Sequence, residues 1–322
     1  MKKNITTDIN FATKLLKDGA LVAFPTETVY GLGADANNPD AIKKVFNLKG
    51  RPADHPLIVH LATASQLPLW ARDIPQTAWQ VAEHFWPGPL TLILLKQEQV
   101  SPLITGGQDT IALRIPNHPI ALQLLQNFGS GLVGPSANKY GRVSPTSAMH
   151  VAMDLGNNVN AILDGGESNI GIESTILNLT GSKPMIMRSG AITAAAISAV
   201  LGEEVVYNSD HKPQIRTSGS HESHYAPVTK VSLLNINEIL NTIKNLPLQT
   251  KFSVISFNDR PTDLDSAIYW QQVAIDPVPY AHNLYANLRN HDLLNNSLIL
   301  IEKPPTNEQW LAILDRLTRA SS

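Results

Sequence analysis

Residues 38–61 read NPDAIKKVFNLKGRPADHPLIVHL, and a change of period inside this stretch decides the fold class. Asn38 and Pro39 open a helix: the asparagine side chain can accept from free first-turn N–H groups, and proline fits where its own N–H is not needed. Ile42, Val45, Phe46 and Lys49 recur at helical spacing, and Gly50 with Pro52 stops the helix. From 56 to 61 the period becomes two, so Ile58 and His60 share one face of a strand and Leu57 and Val59 the other. Helix followed directly by strand reads as α/β. Lys49 and Arg51 fall at the helix end, which is expected to be exposed, and the carbonyl end of the helix dipole favours keeping both charged.

Working outward, Asp8 caps a helix carrying Ile9, Ala12, Leu15 and Leu16 and ended by Gly19. A short buried strand at 21–24 then leads into a loop at 26–33. Downstream, 75–85 reads as helix, 90–95 as an apolar strand and 110–115 as a strand. On the last, Thr110, Ala112 and Arg114 face one way and Ile111, Leu113 and Ile115 the other. An arginine beside a threonine and an alanine marks a binding floor. A helix at 119–127 precedes a strand at 132–134, which runs into Pro135-Ser136-Ala137-Asn138. Strands near 161–163, 175–179 and 185–187 and a helix at 192–201 complete this part. Strands often follow one another directly, which points to a twisted mixed open sheet rather than a regular alternation.

A chain of 322 residues exceeds one comfortable core, and two domains are expected, at 1–207 and 228–322 with a linker or lid at 208–227. The linker is polar and aperiodic, and its length marks a lid or connector. Beyond it, strands at 228–233, 252–257 and 297–301 alternate with helices at 236–243, 281–288 and 308–317, as in a small Rossmann-like α/β domain. Apolar residues make up 43% and charged ones 16%, ordinary for a globular protein. A net charge of −2 advertises no long-range attraction to nucleic acid, although a local basic cleft can hide in that total. With no cysteine, disulfides, thiolate catalysis and cysteine-based zinc sites are excluded. The first twenty residues are interrupted by Asp8, Lys14, Lys17 and Asp18, and no run approaches the ~20 apolar residues that span a bilayer. A cytoplasmic protein without membrane attachment is expected.

Charge at a helix end is routine, and by itself the K-x-R of Lys49 and Arg51 reads as a solvated cap. Paired with Ser136-Ala137-Asn138 after a strand, it supplies point charge, forked donors and polar side chains suited to a polyphosphate. Gly134-Pro135-Ser136-Ala137-Asn138 is not a nucleophile elbow, because Asn138 stands where that turn needs a small residue. Residues 166–171 have P-loop glycine spacing but continue Ile172-Glu173, without Lys and Ser or Thr. His221 and His224 lack a third metal ligand. His60, beside Ile58, reads locally as a core histidine.

Together with residues 25–33 (PTETVYGLG), 51–60 (RPADHPLIVH) and 224–227 (HYAP), these motifs resemble the YrdC-like threonylcarbamoyl-AMP synthases, in the long form with an extra C-terminal domain. The resemblance implies a nucleotidyltransferase that joins L-threonine, bicarbonate or CO2, and ATP into threonylcarbamoyl-AMP and pyrophosphate. Lys49, Arg51, Ser136 and Asn138 would then serve catalysis. Lys49, Arg51, His55, Thr110, Asn138, Ser144, Arg188 and Tyr225 would face ATP; Thr28, His60, Arg114, Ser136 and Ser174 would face threonine, with Arg114 on its carboxylate. Mg2+ would arrive with ATP, held by phosphates and water rather than by a protein cage. A separate transferase would pass the product to tRNA, and direct tRNA binding is left open. His55 departs from the family, in which many members carry Asn there, and Ser218-Gly219-Ser220 replaces a common Pro-Gly-Met. An RNA-binding module without catalysis is the alternative. The related hydrogenase-maturation carbamoyltransferases carry cysteine-rich zinc modules, which this chain lacks.

Overall fold

The computed structural model describes residues 4–208, 215–217, 225–247, 249–265 and 268–322. The expectations placed on Ser218, Gly219, Ser220, His221, Ser223 and His224 lie outside the described residues. The chain forms two compact units: residues 1–140 with 144–220, and residues 141–143 with 221–322. Among the described residues no helix is long and apolar enough to cross a membrane.

The first unit is built on a twisted mixed sheet of twelve strands. Along it lie, in order, Ile5–Thr6, Ala161–Leu163, Val22–Phe24, Gly31–Asp35, Leu132–Val133, Ile58–His60, Thr110–Arg114, Leu90–Lys96, Thr175–Asn178, Met185–Arg188 and Val206–Tyr207, with Ala71–Arg72 paired to Leu90–Lys96. Parallel and antiparallel pairs mix: Ile58–His60 runs parallel to Thr110–Arg114, and Leu90–Lys96 runs antiparallel to it. Helices cover the apolar faces, and one large core includes Leu32, Ile42, Val45, Val59, Leu92 and Leu113.

Local chemistry sets the element ends. The Asp8 side chain accepts from the Phe11 N–H, and Asn38 accepts from Asp40 and Ala41. Helix Pro39–Lys49 ends on Gly50 at φ 65°, the left-handed turn that glycine adopts without strain. One expectation is corrected. The loop read at 26–33 is cut short by the strand Gly31–Asp35, whose glycines lie opposite Phe24 and Val22 in the antiparallel register. A Cβ on Gly33 would stand 2.9 Å from the Val22 carbonyl and 3.1 Å from the Phe24 ring. These glycines let the aromatic ring lie over the strand; they do not mark a turn.

The second unit holds four parallel strands in the order Lys230–Leu234, Leu298–Glu302, Phe252–Ser256, Tyr269–Gln272. The last was not expected: its alternation is weak and two of its four residues are exposed. Helices Ile236–Asn245, Pro277–Asp292 and Leu311–Ala320 accompany the sheet. Segment 141–143 joins this unit: the Ala226 N–H donates to the Gly141 carbonyl at 3.0 Å, and Arg289 donates to the Val143 carbonyl.

Candidate active site

Lys49 occupies the last turn of its helix, as expected, but it is not exposed. It is 3% accessible and Arg51 is 8%. The reason is the neighbouring turn: the Lys49 ammonium donates to the carbonyls of Ser136 and Asn138, the latter at 2.7 Å. Burial, reinforced by the charge of Arg51, pulls the Lys49 pKa well below its usual value. The helix end does not keep this lysine comfortably charged; an anion placed beside it would. Arg51 donates to the Pro56 carbonyl at 2.9 Å, and its guanidinium carbon lies 5.9 Å from the Tyr140 ring centre. His55, also buried, sits 5.4 Å from the same ring. Tyr140 went unnoticed in the sequence, where a lone tyrosine next to a glycine has no periodic signal.

The parallel register places His60 beside Arg114 and Ile58 beside Ala112, and the strand alternation puts Thr110, Ala112 and Arg114 on one face. Arg114 is buried. Its Nη1 donates to Thr28 Oγ1 at 2.8 Å, its Nε donates to the Gly88 carbonyl at 3.2 Å, and its Nη2 lies 2.7 Å from Glu27 Oε1. Thr28 is held in turn by Thr26, whose hydroxyl lies 2.8 Å from that of Thr28. His60 is buried beneath the edge of Phe24, and burial plus the Arg114 charge lowers its pKa to about 3. It is therefore a neutral ring at physiological pH.

A third group forms where Thr175–Asn178 enters the sheet. Ser174 Oγ lies 2.7 Å from Thr91 Oγ1, and Arg188 donates to the Ser174 hydroxyl and carbonyl at 3.1 and 3.0 Å. Ser144 donates to Glu173 Oε1 at 2.6 Å. Thr110 and Ala112 line a shallow groove that Arg216 and Thr217 also line. Arg216 is held there by a 2.6 Å bond from its N–H to Gln108 Oε1 and by donation to the Gly106 carbonyl at 2.6 Å. Thus the first unit collects Lys49 with Ser136 and Asn138, Arg51 with His55, Arg114 with Thr28 and His60, and Ser174 with Arg188. Tyr225, expected on ATP, lies in the second unit, buried, with φ 61°; its ring stacks on Tyr285 and stands 5.4 Å from the Arg316 guanidinium. Glu27 was quoted within a motif but given no role. Only the fold, which brings Arg114 to it across 87 positions, reveals one.

Residues 14–190 match the Sua5_yciO_yrdC family model, described as Telomere recombination, and residues 192–322 match the model described as Threonylcarbamoyl-AMP synthase, C-terminal domain. The threonylcarbamoyl-AMP synthase of Pyrococcus abyssi (strain GE5 / Orsay) is 39% identical over 325 residues, covering 97% of this chain and 94% of that relative. That of Bacillus subtilis (strain 168) is 39% identical over 319 residues, covering 96% of this chain and 92% of its own length. Among solved structures, P. abyssi Sua5 complexed with L-threonine matches with a TM-score of 0.88 at 39% identity, over 97% of this chain and 94% of that one. Matched along nearly its whole length, in both domains and in fold, the chain belongs to the threonylcarbamoyl-AMP synthase family of enzymes, in the long form with a C-terminal domain.

Proposed function

We propose that this enzyme is an L-threonylcarbamoyladenylate synthase, a nucleotidyltransferase that makes threonylcarbamoyl-AMP and pyrophosphate from L-threonine, bicarbonate or CO2, and ATP. The observation that carries the reading is the likeness over nearly the full chain to relatives bearing that name. The first unit supplies compatible chemistry. The threonine nitrogen adds to CO2 and loses a proton, giving a carbamate. A carbamate oxygen then attacks the α-phosphorus of ATP, the bond to the β-phosphate oxygen breaks, and pyrophosphate leaves. Such a route needs alignment and charge neutralisation rather than a covalent nucleophile.

Lys49 and Arg51 are the natural phosphate partners: both are buried cations, and the electrostatic cost of the desolvated ammonium falls when phosphate oxygens arrive. His55, Thr110, Asn138, Ser144 and Arg188 would complete the nucleotide side. Arg114 would take the threonine carboxylate, with Thr28, His60, Ser136 and Ser174 around the rest of the amino acid. His60, neutral, would exchange hydrogen bonds rather than charge. Mg2+ would arrive on the ATP phosphates as part of the substrate. The adenylate would be consumed by a separate transferase acting on tRNA. The test is incubation with Mg-ATP, L-threonine and labelled bicarbonate. Label in threonylcarbamoyl-AMP, dependent on all three, is expected; pyrophosphate release without threonine dependence, or no product, would contradict the reading.

A further inference from the structure

Among the described residues of the first unit, one buried ion pair has hydrogen-bonding capacity left over. Glu27 and Arg114 are 5% and 4% accessible, and Arg114 Nη2 approaches Glu27 Oε1 to 2.7 Å. Yet neither carboxylate oxygen of Glu27 receives an aligned hydrogen bond, and neither does Arg114 Nη2 give one. Buried charges are ordinarily both paired and hydrogen-bonded, because their lost hydration is otherwise uncompensated. The backbone that carries Glu27 is fixed. Its carbonyl accepts from the Ile170 N–H at 2.7 Å, and the following Thr28 and Val29 N–H groups both donate to Thr26 Oγ1 at 3.2 Å. The nearby imidazoles add no competing cation. His60 has its pKa lowered to about 3, and burial also lowers that of His118, whose ring lies within the field of Glu27.

A buried carboxylate whose ion-pair contact is unaligned, beside a guanidinium whose Nη2 has donor capacity left after Nη1 and Nε are bonded, is complementary to a zwitterion. We infer that Glu27 binds the ammonium of the amino-acid substrate while Arg114 takes its carboxylate. This inference rests on the proposed use of threonine. With the ligand bound, four charges alternate in sign and each has opposite neighbours, so the hydrogen bonds left unmade in the pair are completed. When the nitrogen loses its proton and becomes a carbamate N–H, Glu27 still offers an acceptor to the remaining hydrogen. The arrangement also explains why a carboxylate stands in a site that must accept a carboxylate. It charges a toll on any acid that brings no amine.

The experiment is calorimetric titration of the full-length protein with L-threonine and with 3-hydroxybutanoate, which is threonine without its amine. The wild type is expected to bind threonine about tenfold or more tightly than the amine-free acid. Glu27→Gln is expected to weaken threonine about tenfold while leaving 3-hydroxybutanoate within about threefold. Glu27→Asp, which keeps the charge on a shorter stem, should recover part of the preference, and it serves as the deciding variant if the glutamine form does not fold. Parallel weakening of both ligands would reduce Glu27 to a structural partner of Arg114, and unchanged threonine affinity would remove it from the site; either result overturns the inference. A wild type that makes no threonylcarbamoyl-AMP would overturn the functional reading and this inference with it. An active wild type with parallel losses in the variants would overturn this inference alone.

Discussion

His60, in a strand of the first unit, and His291, in a helix of the second, are both buried and both held neutral, but their hydrogen bonds differ. Burial lowers the two pKa values to about 3 and about 4. His291 has Ser253 Oγ at 2.8 Å from Nδ1 and Gln271 Oε1 at 2.9 Å from Nε2. An amide oxygen only accepts, so this network assigns the ring proton to Nε2 and leaves Nδ1 to accept from the serine. His60 Nδ1 is buried with no partner. The same contrast separates two glutamates. Glu302 accepts from Ser256 Oγ at 2.6 Å, the Phe257 N–H at 2.8 Å and Asn258 Nδ2 at 3.0 Å, whereas Glu27 accepts no aligned bond. Protein partners therefore close one member of each pair and leave the other open. In the second unit His291 and Glu302 are closed by protein partners; in the first, His60 and Glu27 keep capacity that the proposed ligand would take up.

The largest expected effect is at Lys49, a buried cation already held by two carbonyls. Lys49→Ala should lower synthesis by about 100-fold or more, because a desolvated cation beside the reacting phosphates is lost. It should also lower stability by about 2–4 kcal/mol in urea unfolding, since the Ser136 and Asn138 carbonyls lose a buried donor and a cavity forms. An exposed helix end would have shown little stability change, so the unfolding curve distinguishes the two environments. Wild-type turnover at saturating ATP would remove Lys49 from the site.

Arg114→Lys should raise the KM for threonine about 30-fold while the KM for ATP stays within about twofold, since an ammonium cannot reproduce a fork held by Thr28, Gly88 and Glu27. The reverse pattern would place Arg114 on the nucleotide side. In the second unit, Glu302→Gln should lower unfolding stability by about 1–2 kcal/mol and leave both KM values unchanged. A selective change in either KM would break the comparison.

A further effect, spread over several pH units, is on acid stability. An unfolded histidine titrates near 6.5, but folded His60 resists protonation until about pH 3. As pH falls below about 6.5 the unfolded chain binds the proton first, so the stability present above that pH is lost at up to about 1.4 kcal/mol per unit. His60→Asn should flatten the stability profile between pH 6 and 4, leaving the slope due to His291. An unchanged profile would show that His60 is protonated in the folded protein.

Much of this was legible because it is local. Caps at Asp8 and Asn38, the Gly50 stop and the alternation at 110–114 depend on neighbours within a few residues. The Ser136–Asn138 turn was legible as chemistry but not as the acceptor that buries Lys49, since that contact joins residues 87 and 89 positions apart. Gly31 and Gly33 misled for a related reason: glycine signals a turn unless one knows that Phe24 lies against it. Glu27 stood within a recognised motif, yet nothing near it in the chain says that its carboxylate meets an arginine without an aligned hydrogen bond.

The contrast between saturated and unsaturated groups is tested most directly by hydrogen exchange with and without L-threonine. At a ligand concentration of about 100 Kd, opening of the bound region should become about 100-fold rarer. Slowed exchange is expected at residues 25–30 and 110–115, with residues 252–258 and 298–302 unchanged. Threonine-dependent slowing confined to the second unit, or none at 25–30 under saturating threonine, would contradict it.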